Sequence, residues 1–318
     1  MKRIIMTFLT GLVASLASVQ VNAQLSIATG GTGGVYYPMG GGLATVLSKY
    51  LPNMQSTAEV TGGSVDNLNL VGSGKPYVGF TMADAAQDAF KAEGKFANRK
   101  QDIRTLLVLY PNRMHVVSVD GTGVKSMADL KGKRVSTGSP GSATEVMALR
   151  LIEAAGLDKD KDMKRERLGV AESVNAIKDR KIDAFFWGGG LPTAAVTDLA
   201  NSPGMKIQMV DHDAFVAKMN EKFGNIYFKD VIPKVTYAGM KADNKIASVA
   251  NILVANASMS EQDAYNIVKT VFEKLPELIA VHAEYKNIKL SDQKSAASSV
   301  PFHPGALKYF KEKGVKVN

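Results

Sequence analysis

Between a short apolar stretch and a helical pattern opening at Pro38 lies the segment Ile27-Ala-Thr-Gly-Gly-Thr-Gly-Gly-Val-Tyr-Tyr-Pro-Met-Gly40, and no other feature limits the possible folds as tightly. Its clustered glycines permit a tight turn and a close approach of backbone to another molecule. Its threonine and tyrosine hydroxyls stand beside amides left unpaired where a helix begins. A strand, turn and helix joined in this way form a place to hold a small anion. The turn is not a dinucleotide fingerprint, because Tyr36 stands where that pattern requires a third glycine after Gly31 and Gly33.

The segment follows closely on a leader. Met1-Lys-Arg gives a basic start, residues 4–19 an apolar run, and Val21-Asn22-Ala23 a small-residue cleavage pattern. Residues 1–23 therefore read as a secretory signal peptide, with the mature chain starting at Gln24 in the periplasm. The apolar run is shorter than the roughly 20 residues needed to span a bilayer. With no cysteine, an exported chain has neither disulfides nor thiolate metal sites, so its stability rests on buried apolar area. A length of 318 residues suits two domains. The formal charge of +9, less Lys2 and Arg3 of the leader, stays positive and favours anionic ligands by long-range attraction. Nucleic acid is not an expected partner, because the basic run 159–167 alternates in sign and lacks an aromatic residue for base stacking. That run reads as a solvated loop.

From residue 25 onward, short β-rich runs alternate with helical patterns, which predicts an α/β chain with parallel sheet. Strands are expected over 25–29, 57–61, 78–81, 106–109, 134–137, 182–187, 205–210 and 248–254. Helices are expected over 36–50, 64–71, 83–93, 172–180 and 260–274, with another capped by Ser142 and stopped at Gly156. The element order has the chain leaving a first unit near residue 112 and returning near 250. Residues 24–112 plus 250–318 then form lobe I and 113–249 lobe II, on either side of a hinge. Ligands of open α/β sheets lie beyond the carboxyl ends of strands, so a central ligand cleft is expected between the lobes.

Four strand-to-helix turns share glycine and hydroxyl chemistry: 29–37, 61–66, 136–144 and 187–193. From them the ligand-binding candidates are Thr32, Gly33, Tyr36, Tyr37, Ser64, Ser139, Gly141, Ser142, Trp187 and Gly188, with Thr81 at a strand end beside them. Ser142 can cap its helix and serve a ligand at once. Trp187, the single tryptophan, would cover an apolar part of the ligand. Asp183, at the start of a strand, reads as structural. Arg113 would add a bidentate contact to a second carboxylate if it faced the crevice. No catalytic residue, metal ligand or cofactor is assigned. The chain has no Gly-x-Ser-x-Gly elbow, no phosphate-loop Gly-Lys-Ser/Thr and no thiol, and its four histidines are scattered.

Residues 28–40, Thr61-Gly-Gly-Ser-Val-Asp-Asn67, Asp183-Ala-Phe-Phe with its glycine turn, and Pro301-Phe-His-Pro-Gly-Ala306 together resemble the TAXI solute receptors of TRAP transporters. The resemblance spans essentially the whole mature chain. It implies a two-lobed type II periplasmic-binding-protein fold that closes on glutamate or a similar C4/C5 dicarboxylate. It also implies delivery to integral membrane permease subunits driven by an ion gradient. Thr32, Gly33, Tyr36, Tyr37 and Ser64 would then belong to one side of the site, and Ser139, Ser142 and Gly188 to the other. The alternative is a periplasmic sensing subunit of a membrane signalling system, which needs the same closed, ligand-bound form.

Overall fold

A computed structural model describes residues 23–317; the expected signal peptide lies outside them apart from Ala23. The strands are β1 (Ala23–Ala28), β2 (Met54–Glu59), β3 (Tyr77–Met82), β4 (Ile103–Val119), β5 (Arg134–Ser136), β6 (Lys164–Glu166), β7 (Ala184–Gly189), β8 (Ile207–Met209), β9 (Phe228–Ile232) and β10 (Asn244–Asn256). Helices α1 (Tyr36–Tyr50), α2 (Ser64–Gly72) and α3 (Ala83–Lys91) alternate with the first strands, and α4 (Ala143–Ala154), α5 (Val170–Lys178), α6 (Ala194–Asn201) and α7 (Val216–Phe223) with the later ones. The chain ends in α8 (Glu261–Glu273), α9 (Leu275–Val281), α10 (Ser295–Ser298) and α11 (Pro304–Glu312).

All ten strands belong to one sheet in the order β2-β1-β3-β10-β4-β7-β5-β6, with β8 added to β4 and β9 to β10. Two lobes hang on it. One is built on the parallel strands β1, β2 and β3, the other on β5, β6 and β7, also parallel. They are joined by β4, of 17 residues, and β10, of 13, both longer than common strands. The front of β4 pairs antiparallel with β10 from Ile103 to Arg113. Its far end pairs with β7 from Arg113 to Ser118 and with β8. The sequence pattern marks only the most apolar stretches, 106–109 and 248–254, because those are buried on both faces.

The apolar periodicity of α1 places Met39, Leu43 and Leu47 in the first lobe's core, which they share with Ile27, Leu68, Phe80, Leu107, Leu253, Ile267 and Phe310. A smaller core under the second lobe contains Val117, Val174, Ile177, Phe185, Val196 and Leu199. The basic run is not wholly a loop. Lys164–Glu166 forms β6 at the sheet edge, where charged side chains protect exposed backbone from further pairing.

The motif from Pro301 to Ala306 is structural. The His303 amide donates to the Thr105 carbonyl at 2.8 Å and the Thr105 amide to the Pro301 carbonyl at 2.9 Å, and His303 Nδ1 accepts from the Gly305 amide at 3.2 Å as the cap of α11. A Cβ on Gly305 would stand 2.1 Å from the Glu261 carbonyl oxygen and 2.7 Å from the Tyr265 nitrogen, so α11 meets α8 backbone to backbone. Gly305→Ala should therefore destabilise the chain by about 1–3 kcal/mol, measured as a lower midpoint in denaturant or thermal melts.

Candidate ligand-binding cleft

Parallel strands send their following loops to one edge of the sheet, and the two lobes turn those edges toward each other. Between them lies a cavity of about 420 Å³. One wall consists of residues 30–36 after β1, 60–64 after β2, Met82 at the end of β3 and Tyr110 from β4. The opposite wall consists of Ser139, Pro140 and residues 142–144 after β5, 167–172 after β6, and 187–189 at the end of β7.

Four helices begin in these walls. α1, α2 and α5 are preceded at the cap position by Val35, Gly63 and Gly169, with no side chain capping their first amides, while α4 is capped by Ser142. The first amides of α2 are taken by the Gly141 carbonyl and that of Glu145 in α4 by Ser142, so negative charge in the shared space is favoured by the positive ends of the four helix dipoles and by the uncapped first turns of α1 and α5. Among the described residues the only charged side chains on the wall are Arg167 and Glu172, and both are exposed. Arg167 is committed to Glu145, through Nε at 2.5 Å and Nη2 at 3.0 Å. Burial would raise the Glu145 carboxyl, but Arg167 and Lys95 hold it below the usual carboxylate range. An anion here meets neutral donors rather than a free counter-ion.

Of the residues expected in the site, Thr32, Gly33, Tyr36, Ser64, Ser139, Ser142, Trp187 and Gly188 line this cavity. Tyr37, Thr81 and Gly141 do not. Tyr37 is one helical step beyond Tyr36 and is exposed. Thr81 alternates with Met82 along β3, and its hydroxyl donates to the Met82 carbonyl at 3.1 Å. Gly141 supplies its carbonyl to the opposite lobe, accepting from the Val65 and Asp66 amides at 2.9 and 3.2 Å.

Lining the cavity does not leave every hydroxyl free. Ser142 Oγ accepts from the Glu145 amide at 3.2 Å and donates to the Ser139 carbonyl at 2.7 Å, and Ser139 Oγ donates to the Gly62 carbonyl at 3.0 Å. Both protons are spent on protein. Ser64 Oγ accepts from the Met82 amide at 3.1 Å, and Thr144 Oγ1 accepts from the Gly188 amide at 3.2 Å. Trp187 donates through Nε1 to Thr193 Oγ1 at 2.9 Å. Its ring lies so close to Gly34 that a Cβ there would come within 2.8 Å.

Arg113 points away from the cavity wall, pairing with Asp230 at 2.9 Å and Glu284 at 3.4 Å. Asp183 is tied to Arg134 at 2.7 Å. His115 bridges backbone carbonyls on Nδ1 and the Tyr237 hydroxyl, 2.9 Å away, on Nε2. Burial lowers its pKa to about 4, which keeps it neutral. Sequence reasoning missed Tyr110, Thr144 and the loop 167–172. The turn at Gly169 ahead of a helical pattern was the available signal for that loop.

The profile of the NMT1-like family matches residues 27–314. The chain belongs to the NMT1-like family. Among solved structures, the periplasmic binding protein BugD superposes with a TM-score of 0.57 at 12% identity, over 92% of this chain and 98% of that one. A binding protein component of an ABC phosphonate transporter from Pseudomonas aeruginosa gives 0.52 at 11% identity, over 84% and 80%. A putative L-cystine ABC transporter from Listeria monocytogenes gives 0.51 at 14%, over 84% and 98%. At these identities the likeness is one of fold, and the fold of this NMT1-like protein is the two-lobed one of periplasmic binding proteins. Among the described residues no helix is long and apolar enough to cross a membrane.

The NMT1-like chain is seen with its lobes in contact. The Gly62, Val65 and Asp66 bonds to residues 139 and 141 form a latch beside the cavity, extended by the Ala195 amide donating to the Gly33 carbonyl at 3.3 Å. Farther out, Arg150 of α4 reaches both oxygens of Asp88 on α3, at 2.7 and 2.6 Å, and Tyr227 Oη at 2.9 Å. Tyr227 in turn donates to Asp84 at 3.0 Å. Gln87 adds a bond to the Phe223 carbonyl at 3.1 Å.

Two predictions follow from this closure. Gly141 has φ of +79°, and a Cβ on it would lie 2.4 Å from the Asp66 carboxylate. Gly141→Ala should break the latch without altering the cavity wall, and small-angle scattering of the ligand-free chain should show a larger radius of gyration than the parent. For the outer clasp, complete burial raises the Asp84 carboxyl from 3.8 to about 6, against the opposing pull of Arg150. A carboxyl with a higher pKa folded than unfolded keeps its proton preferentially in the folded chain. Its contribution to stability therefore falls as pH rises from about 4 to about 6 and is level above that. The stability of Asp84→Asn relative to the parent should rise over the same interval, as measured by urea melts at a series of pH values.

Proposed function

We propose that this NMT1-like protein is a periplasmic solute receptor that closes over a small carboxylate, glutamate or a similar C4/C5 dicarboxylate, and delivers it to a TRAP-type permease driven by an ion gradient. In this reading residues 24–112 with 250–318 act as one rigid lobe and 113–249 as the other. β4 and β10 carry the bend between them.

The observation that carries the reading is the convergence of the N-termini of α1, α2, α4 and α5 on one cavity. Two of these helices come from each lobe, so a ligand's negative charge meets the positive ends of all four dipoles only when the lobes are together. The ligand then binds the closed state more tightly and shifts the population toward it. The net positive charge of the chain speeds encounter with an anion, an effect that fades with salt. The walls fit binding rather than catalysis, since the serine hydroxyls facing the cavity from the second lobe are held in backbone bonds. The carboxylate and the TRAP partner rest on the TAXI-like motifs. An ABC permease, as named for two of the structural neighbours, is the competing partner.

A thermal-shift screen of the mature chain against glutamate, 2-oxoglutarate, succinate and malate tests the ligand class. An acid present at 100 times its dissociation constant adds about 2.7 kcal/mol and should raise the melting midpoint by about 5 °C. The same acid should change the emission of Trp187, which lines the cavity. No shift with any carboxylate overturns the ligand assignment. Uptake in cells that collapses with an uncoupler while ATP is maintained supports the TRAP partner, and uptake that follows ATP alone replaces it with an ABC permease.

A further inference from the structure

The ligand cleft leaves the most uneven charge in the chain unused. Residues 283–317 carry seven lysines against Glu284, Asp292 and Glu312, a net charge of +4 out of the +7 that remains without Lys2 and Arg3. Glu284 is buried and paired with Arg113, Glu312 accepts from the Tyr265 hydroxyl at 2.8 Å, and Asp292 accepts from the Ser291 hydroxyl at 2.8 Å. All seven lysines are exposed. Among the described residues none of the seven has a carboxylate within ion-pair distance, whereas most cations elsewhere on lobe I are paired. Lys308 and Lys313 rest on ring faces instead, 5.2 Å from the Tyr265 centroid and 5.4 Å from that of Tyr309.

The fold lays these lysines along one strip. After α9 the chain runs back beside β4, with Glu284 at Arg113, the Gln293 amide group on Val108 at 2.8 Å, and the Pro301 carbonyl on the Thr105 amide at 2.9 Å. From Arg113 to Thr105 a strand covers about 26 Å, and Lys286, Lys289 and Lys294 follow one another along that stretch. The tail after α11 returns to it through the Ser295 amide, which donates to the Val317 carbonyl at 2.8 Å and so brings the chain at Lys316 to the chain at Lys294. α11 buries Gly305, Ala306, Tyr309 and Phe310. Its outward face therefore holds Leu307, Lys308 and Lys311, at helical spacing, and Leu307 is 40% exposed.

We propose that this strip is a docking face for an anionic phospholipid surface, which holds the receptor against the membrane. The match is one of charge and shape. Lysine ammoniums on long apolar stems reach a plane of head-group phosphates while their stems and a neighbouring leucine meet its apolar edge, and each lysine close to such a plane adds a salt-sensitive attraction. Both exposed carboxylates of the strip are already bonded to hydroxyls, and a row of charge about 26 Å long fits a continuous negative plane better than a single small anion. Confinement to the membrane raises the receptor concentration that a permease meets without altering the affinity of the cleft.

The test is co-sedimentation of the mature chain with vesicles of phosphatidylcholine alone and of phosphatidylcholine with roughly one third phosphatidylglycerol. The chain should bind the anionic vesicles at about 0.05 M salt, leave them at about 0.5 M, and ignore the neutral ones. Lys308→Glu with Lys311→Glu should weaken the binding about tenfold or more. Lys234→Glu with Lys241→Glu makes the same change of net charge on two exposed lysines of the other lobe and should bind as the parent does. The salt series on the parent tests the role of charge with no substitution to disturb folding. No binding to anionic vesicles, equal binding to neutral ones, or the same loss in both double variants overturns the proposal. Each of those results leaves the solute-receptor reading standing, because the strip and the cleft are tested separately.

Discussion

Everything in this molecule hangs on the antiparallel pairing of β4 with β10. The two strands exchange backbone bonds from Ile103 to Arg113 and from Ser248 to Asn256, and each then runs on into the second lobe. A ladder between two strands resists sliding, since a one-residue slip would turn every buried side chain to the wrong face. It still bends at irregular points, and the register shifts between Ala250 and Ile252 and between Leu253 and Val254. Pro111, which has no amide proton, pairs opposite Ala250. The lobes are thus fixed in sequence register but joined by only two strands, the arrangement from which a cleft can open and shut.

Placing the cleft at this joint sets its electrostatics. The strands of both lobes point their carboxyl ends at it, so helices begin there, and helix starts bring unpaired amides and partial positive charge. Of the cations near the ligand space, Arg113 is paired away from the wall with Asp230 and Glu284, and Arg167, on the wall, is paired with Glu145. Under the proposed reading, neutral donors would hold an anion without a buried counter-ion to desolvate. They also make recognition depend on geometry, because each amide and hydroxyl works only at short range and in the closed arrangement. The latch from Ser139 and Gly141 to residues 62–66 and the outer clasp through Arg150 contribute to that closed arrangement from residues that do not act as free donors to the ligand.

Much of this was legible in the chain. Apolar periodicity and caps placed α1, α2, α3 and α8 within a few residues, and the glycine-bearing turns marked four of the loops that enclose the cavity. The fifth, around Gly169, follows a strand of only three charged residues, which carry no apolar signal because β6 is an edge. Tyr110 was hidden for the opposite reason. It sits inside a strand buried on both faces, where a tyrosine looks like any other large core residue.

Local sequence determined the alternation of strands and helices, the turn chemistry at their junctions and the absence of thiols, because each depends on backbone preference or composition over a few residues. Only the tertiary structure decided which hydroxyls are already bonded, that Gly141 and Ser139 bind the opposite lobe, that Arg113 is already paired, and that Tyr110 reaches the cavity wall. Those outcomes depend on distances between segments far apart in the chain. Such distances are set by the β4–β10 pairing and by lobe contact, and no spacing along the sequence encodes them.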